Sequence, residues 1–204
     1  MLTERSRTLY VLRVVRPREF DVDIAIERAM QLFWRHGFEA TSVQDLTAGL
    51  GLGKGSLYAA FGSKDGLYAA ALQRYCAHHA SALIGLLDQT QQVRPALRTA
   101  LRSMADADAA DPERGCMLVN AATERGDDPD SVRTVQRTMR QIEDALTGAL
   151  ERARIRGEIA PDKDPAALAR FLTTFIQGLR VMGQARVGSE VVDEALEVAL
   201  ATLD

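Results

Sequence analysis

Several residue types are scarce in this chain, and each scarcity excludes something. Only two cysteines are present, Cys76 and Cys116, far apart and outside any CxxC spacing. That excludes a disulfide scaffold and a sequence-local zinc cluster. The histidines number three, and the neighbours His78 and His79 would diverge by about 100° on a helix, too far to share one ion. No metal and no cofactor are expected. Aromatics make up 5% of the residues, and runs of Val, Ile and Thr with period-two alternation are missing, which excludes a sheet-built fold. Charges interrupt every apolar stretch before the ~20 residues that a membrane span needs, and no apolar segment with a small-residue cleavage site opens the chain. A cytoplasmic protein without a membrane partner is expected. No nucleophile stands in an elbow motif, and no carboxylate is spaced to a histidine as a triad requires, so an enzyme is not expected.

What is present points to helices. Hydrophobic residues reach 47% of 204, enough to bury a core without staples; Ala and Leu are abundant and favour the α conformation. The net charge of -3 argues against a protein that coats nucleic acid along its whole surface. The charge is unevenly placed, however: basic residues outnumber acidic ones up to Tyr75 and acidic ones prevail after it, with five arginines between Arg5 and Arg18.

Residues 1–19 lack clean periodicity and contain Pro17, which reads as a basic arm. Val22, Ala25, Ile26, Ala29, Leu32 and Phe33 recur at helical spacing, and Gly37 follows as a stop. Thr41 or Ser42 caps a short second helix; with Thr41 as cap, Gln44 completes a capping box. Lys54 to Phe61 forms a third helix between Gly51 and Gly62, and Ser63 caps a long fourth one to about Leu87. Further helices are predicted over 93–109, 113–126, 130–156, 165–183 and 189–203, with Asp164-Pro165 as a strong start. The expected fold is all-α with about nine helices. It divides into an arm (1–19), a three-helix unit (20–66) and a larger helical domain (67–204).

The glycine-rich stretch GLGLGKGSLYAAF, from Gly49 to Phe61, superficially suggests a phosphate loop. A Walker loop needs Ser or Thr directly after the lysine, whereas Lys54 is followed by Gly55; GxGxxG fails from every glycine; and both motifs follow a strand, while the residues before Gly49 are patterned as a helix. The spacing fits a helix-turn-helix better. Gly51 supplies the tight turn, Gly53 and Gly55 let the second helix approach DNA closely, Lys54 is placed as a phosphate or guanine ligand, Ser56 as a donor, and Tyr58 as a hydroxyl for a phosphate.

The segment Phe20 to Leu72, with LFWRHGFEATSVQDL, GLGKGSLYAAF and GSKDGLY, resembles the DNA-binding domain of the TetR family of bacterial transcriptional regulators. RGCMLVNAATE resembles a recurrent stretch in one branch of that family. The resemblance implies a homodimer, usually a repressor, that holds a palindromic operator in double-stranded DNA at the nucleoid and leaves it when a small molecule binds the C-terminal domain. By motif, Thr41, Ser42, Lys54, Gly55, Ser56, Tyr58 and Lys64 would touch the operator. Ala59 and Ala60 depart from the pattern where relatives often present aromatic or histidine side chains. Arg16 and Arg18 are expected to compensate from the minor groove, as basic arms do elsewhere.

Apolar stripes on the last two helices suggest the dimer interface: Phe171, Phe175, Leu179 and Met182 on one, Leu196 and Leu203 on the other. Met104, Cys116, Met117, Asn120, Met139 and Phe175 are candidates for lining a pocket for an unknown ligand, thioethers and an aromatic suiting an apolar molecule. Cys116 opens an apolar run, which favours a small buried hydrophobe over a thiol sensor; Trp34 and Phe33 are expected in the core of the three-helix unit. A ligand-independent DNA-binding activator or architectural protein is the alternative function.

Overall fold

The computed structural model describes residues 20–204; the arginine arm, with Arg16 and Arg18, lies outside them. Nine helices and no strand occur among the described residues: α1 Val22–His36, α2 Val43–Leu50, α3 Lys54–Phe61, α4 Lys64–Gln89, α5 Val93–Ala110, α6 Met117–Glu124, α7 Pro129–Ile155, α8 Pro165–Gln184 and α9 Ser189–Ala201. None is long and apolar enough to cross a membrane.

Local signals set most boundaries. Asp21 accepts hydrogen bonds from the amides of Asp23 and Ile24, and prolines open α7 and α8 behind the capping carboxylates Asp128 and Asp164, where the missing N–H costs nothing. α2 decides between two expected caps. Its cap is Ser42, not Thr41, and the box partner is Asp45, not Gln44. α6 also starts later than the periodicity predicts. The segment before it closes as a turn, Arg114 N–H donating to Asp111 at 3.1 Å, and the Gly115 carbonyl accepts from the Trp34 indole instead of a helical amide.

Gly51 ends α2 in the left-handed region at φ 68°. A Cβ there would meet no atom within 4 Å, so only backbone strain opposes a substitution. Gly51→Ala is expected to lower stability by about 1–2 kcal/mol, measured by urea unfolding; an unchanged midpoint would remove the turn's requirement for glycine.

Two cores organise the molecule. The first joins α1, α2 and α3 (Phe33, Leu46, Leu57) to the start of α4 (Leu67, Leu72, Tyr75) and to Met117, Leu118 and Ala121 of α6. Packing is therefore continuous across residue 66, where the sequence suggested a boundary. The second core joins the rest of α4 to α5, α7, α8 and α9. Arginines spaced one turn apart on α5 fasten α9: Arg94 pairs with Asp204, Arg98 with Glu197 and Arg102 with Asp193. Such half-exposed pairs contribute little stability; the buried Val192, Leu196 and Leu200 seat α9 on the second core.

That orientation corrects the expected interface. Leu179, Leu196 and Leu203 are buried in the second core and cannot meet another protomer. Phe171, Val181, Met182, Val191 and Val198 are exposed instead, Val198 at 70%. Phe175 is half-buried, its ring 6.0 Å from that of Phe171. α8 and α9 thus each leave apolar side chains exposed.

Candidate nucleic-acid interface and effector cavity

α3 carries the features of a groove-binding helix. Only Leu57 is buried along it, fixing the helix to the first core and turning Lys54, Gly55, Ser56 and Tyr58 to solvent. No acidic residue lies on α3, so Lys54 gives it a net positive charge. Its N-cap, Gly53, makes no side-chain hydrogen bond, whereas α2 and α4 are capped by Ser42 and Ser63. The first amides of α3 are therefore open to a phosphate, and the helix dipole favours one there. No atom lies within 4 Å of a Cβ built on Gly53 or Gly55; their missing side chains leave the face flat for approach.

Ser42 and Lys64 flank this surface with prior commitments. Ser42 donates its hydroxyl to Asp45 at 2.6 Å and accepts the Asp45 amide at 3.1 Å, and the hydrogen bonds from Ser42 hold the Asp45 carboxyl below its ordinary range. Lys64 Nζ rests 4.1 Å from the centre of the Phe38 ring. Thr41 leaves the expected set: its side chain is buried and donates to the Gly37 carbonyl at 2.6 Å, so it braces the α1–α2 turn and offers no hydroxyl to DNA.

α6 and its flanking turns clamp the three-helix unit at both ends. At its start Trp34 Nε1 donates to the Gly115 carbonyl at 2.8 Å, the Arg114 guanidinium lies over the Trp34 ring at 4.7 Å, and Arg35 pairs with Asp111 at 3.1 Å. At its end the Glu124 carboxylate accepts the amides of Phe38 and Glu39, each at 3.0 Å, while Arg125 lies 3.8 Å over Phe38 and pairs with Asp65 at 2.7 Å. Gly37, at φ 78°, lets the turn come this close: an added Cβ would sit 2.8 Å from Glu124 Oε1. Glu124→Ala is expected to speed hydrogen exchange at the Phe38 and Glu39 amides and to lower stability by about 1.5–3 kcal/mol, the range for hydrogen bonds to a charged acceptor. Unchanged exchange at those two amides would contradict the clamp.

Behind the start of α6 lies a cavity of about 440 Å³, walled by Trp34, His79, Leu83, Leu86, Met104, Asp108, Arg114 and Arg180 among others. This volume is in the range of small-molecule sites. Of the residues singled out from sequence, Met104 lines it and Cys116 lines a smaller adjoining void. Met117 is sealed in the first core, Met139 packs against that core and Phe175 against the second, and Asn120 donates to the Arg114 carbonyl at 3.4 Å; none of these four reaches the cavity. Trp34, read from sequence as core, is part of its wall.

The polar groups of the cavity were missed from sequence. Arg180 Nε stands 2.9 Å from Asp108 Oδ2, both side chains about nine-tenths buried or more, yet the N–H is poorly aligned and neither atom makes a hydrogen bond among the described residues. Arg180 also donates to the Tyr75 hydroxyl at 3.3 Å, which in turn donates to Cys116 Sγ at 3.5 Å. Burial pushes the Asp108 carboxyl up to about 6, the nearby guanidinium only partly opposing it. Burial likewise holds His79 down to about 4, with Arg180 adding to the effect, so its imidazole is neutral at pH 7.

Comparison with known proteins covers both halves. Residues 25–71 match the family model "Bacterial regulatory proteins, tetR family" and residues 90–199 match "Tetracyclin repressor-like, C-terminal domain". An uncharacterized HTH-type transcriptional regulator of Bacillus subtilis, YezE, is 33% identical over 93% of this chain and 99% of its own. The HTH-type transcriptional repressor ComR of Escherichia coli is 35% identical over 92% and 90%. Among solved structures, a cysteine mutant of the TetR family transcriptional regulator CifR, complexed with 26-base-pair double-strand operator DNA, superposes with a TM-score of 0.80 at 32% identity, over 93% of this chain and 100% of that one.

Proposed function

The chain belongs to the tetR family of bacterial regulatory proteins, and from this premise we propose that it is a dimeric repressor that leaves a palindromic operator when a small molecule fills the cavity behind Trp34. Family members are DNA-binding transcriptional regulators rather than enzymes, and a regulator of bacterial genes works in the cytoplasm, at the nucleoid. The observation that carries the reading is α3: one buried leucine, an open N-terminus and an outward set of Lys54, Gly55, Ser56 and Tyr58. Lys54 and the α3 amides would meet phosphates or guanine edges, Ser56 and Tyr58 would add hydroxyl contacts, and Ser42 and Lys64 would grip the backbone on either side.

The apolar faces of α8 and α9 supply the two-fold contact, which brings two copies of α3 to successive major grooves, about 34–36 Å apart. Release needs a ligand that binds the free conformation better than the DNA-bound one. Trp34 belongs to α1 yet walls the cavity, so an occupant touches the three-helix unit directly, and the α6 clamp carries any shift to the α1–α2 turn. Selection of bound fragments from a random DNA pool tests the proposal. A palindrome is expected; an asymmetric site or no enrichment would reject it.

A further inference from the structure

Resting on the effector reading above, we propose that the ligand is a small apolar molecule headed by a carboxylate, which takes the place of Asp108 on the Arg180 guanidinium while Asp108 takes up a proton. The cavity's unmade hydrogen bonds point to an anion. Arg180 Nε, 2.9 Å from Asp108 Oδ2, and Arg114 Nε, 3.5 Å from Asp111 Oδ2, each face a carboxylate without an aligned hydrogen bond among the described residues. Both arginines line the same void, and a guanidinium does not give up its proton. A carboxylate presents two oxygens in a plane and satisfies such an edge with parallel bonds. The remaining wall, Trp34, Leu83, Leu86 and Met104, accommodates an aromatic or aliphatic tail.

Charge balance supplies the second half. Arg114 is paired with Asp111, so an arriving carboxylate puts two anions beside the single cation Arg180, and like charges at that distance in a largely buried site cannot both persist. The groups facing Asp108 decide which one is neutralised. From α8 comes Arg180; from α4, His79, neutral, and Tyr75, whose phenol burial keeps protonated. From the turn before α6 come Arg114 and Asp111, the latter paired with Arg35, and the Cys116 thiol lies beyond Tyr75. Among the described residues Asp108 pairs with Arg180 alone, Arg114 being paired with Asp111, and burial already raises Asp108 toward neutrality. The proton comes from solvent, the ligand remains ionised, and the floor keeps one guanidinium facing one carboxylate.

Phenylpropionate, its amide and the corresponding amine serve as probes, followed by fluorescence of Trp34, the only tryptophan in the chain, and by calorimetry in buffers of different ionisation enthalpy. The acid is expected to bind at least about tenfold more tightly than either analogue, a difference of about 1.4 kcal/mol. It should take up close to one proton near pH 7, with affinity rising by up to about tenfold per pH unit from 8 toward 6. Arg180→Met should abolish the preference for the acid, and Asp108→Asn should bind the acid without proton uptake. An amide or amine that matches the acid, an acid that fails to bind at millimolar concentration, or proton uptake that persists in Asp108→Asn overturns the proposal. Should a variant lose its helical circular dichroism, the comparison of probes and the buffer dependence on the unmodified protein decide alone. Operator binding is read in the same samples. An acid that binds as described but leaves the operator occupied refutes release by this cavity and leaves the ligand class standing, whereas release by a neutral ligand alone refutes only the ligand class.

Discussion

Lys54→Ala is expected to weaken operator binding on the order of a hundredfold or more while leaving the fold intact. The magnitude follows from position and symmetry. Lys54 is exposed at the first turn of α3, where a phosphate or base contact is worth about 1–3 kcal/mol, and a dimer loses that contact in both half-sites. Truncating an exposed side chain costs stability within about 0.5 kcal/mol, so the thermal midpoint should not move. The salt dependence separates the two contact types. A phosphate ligand lost twice lowers the slope of log affinity against log salt by about 2 and weakens all sequences alike, whereas a lost guanine contact relaxes discrimination at one base pair of each half-site. A change below about twofold in affinity would make Lys54 an ordinary surface lysine and displace α3 from the groove.

The double change Phe171→Glu with Val198→Glu is expected to give a folded monomer whose operator affinity falls by about 10²–10⁴-fold. Both side chains are exposed, at 42% and 70%, so charging them removes little from the protomer's own core; within a dimer contact, four like charges would be buried without partners. What disappears is the linkage of two half-site contacts into one binding event, which is worth about that factor. Sedimentation velocity reads the monomer and a gel-shift titration reads the affinity. Retained dimerisation would place the two-fold contact elsewhere than on α8 and α9.

The helix-turn-helix was the most legible part of the sequence because its punctuation is local. Gly51 and Gly62 bracket α3, and one buried leucine leaves the polar side outward, so periodicity and turn chemistry agree. The cap of α2 was left open between Thr41 and Ser42 because both are good caps, and Gln44 and Asp45 both suit the third position. The tie is broken by tertiary packing, which buries Thr41 and spends its hydroxyl on Gly37. Leu179, Leu196 and Leu203 were assigned to the interface because a stripe reveals an apolar face but not what covers it; α8 and α9 carry apolar residues on more than one side, and the side covered by the second core is known only from the fold.

The cavity was the least legible part. Met117, Met139 and Phe175 were chosen for their chemistry, yet a void is located by where helices fail to meet, which no single helix encodes. A signal did exist. Arg180 falls on the buried stripe of α8 with Leu172, Ile176 and Gly183, and Asp108 on that of α5 with Leu101 and Ala105. A charged residue in register with an apolar stripe is costly to bury and so marks a partner or a site. That these two face each other, 72 residues apart, required the fold.

Methylation protection of guanine N7 on the selected operator tests the central claim most directly, since that atom lies in the major groove beside the expected position of Lys54 and Ser56. The structure predicts two protected clusters related by a dyad and separated by about one helical turn, with protection at the Lys54-facing guanine lost in Lys54→Ala. A single cluster, or no protection at guanine N7, would contradict a paired docking of α3.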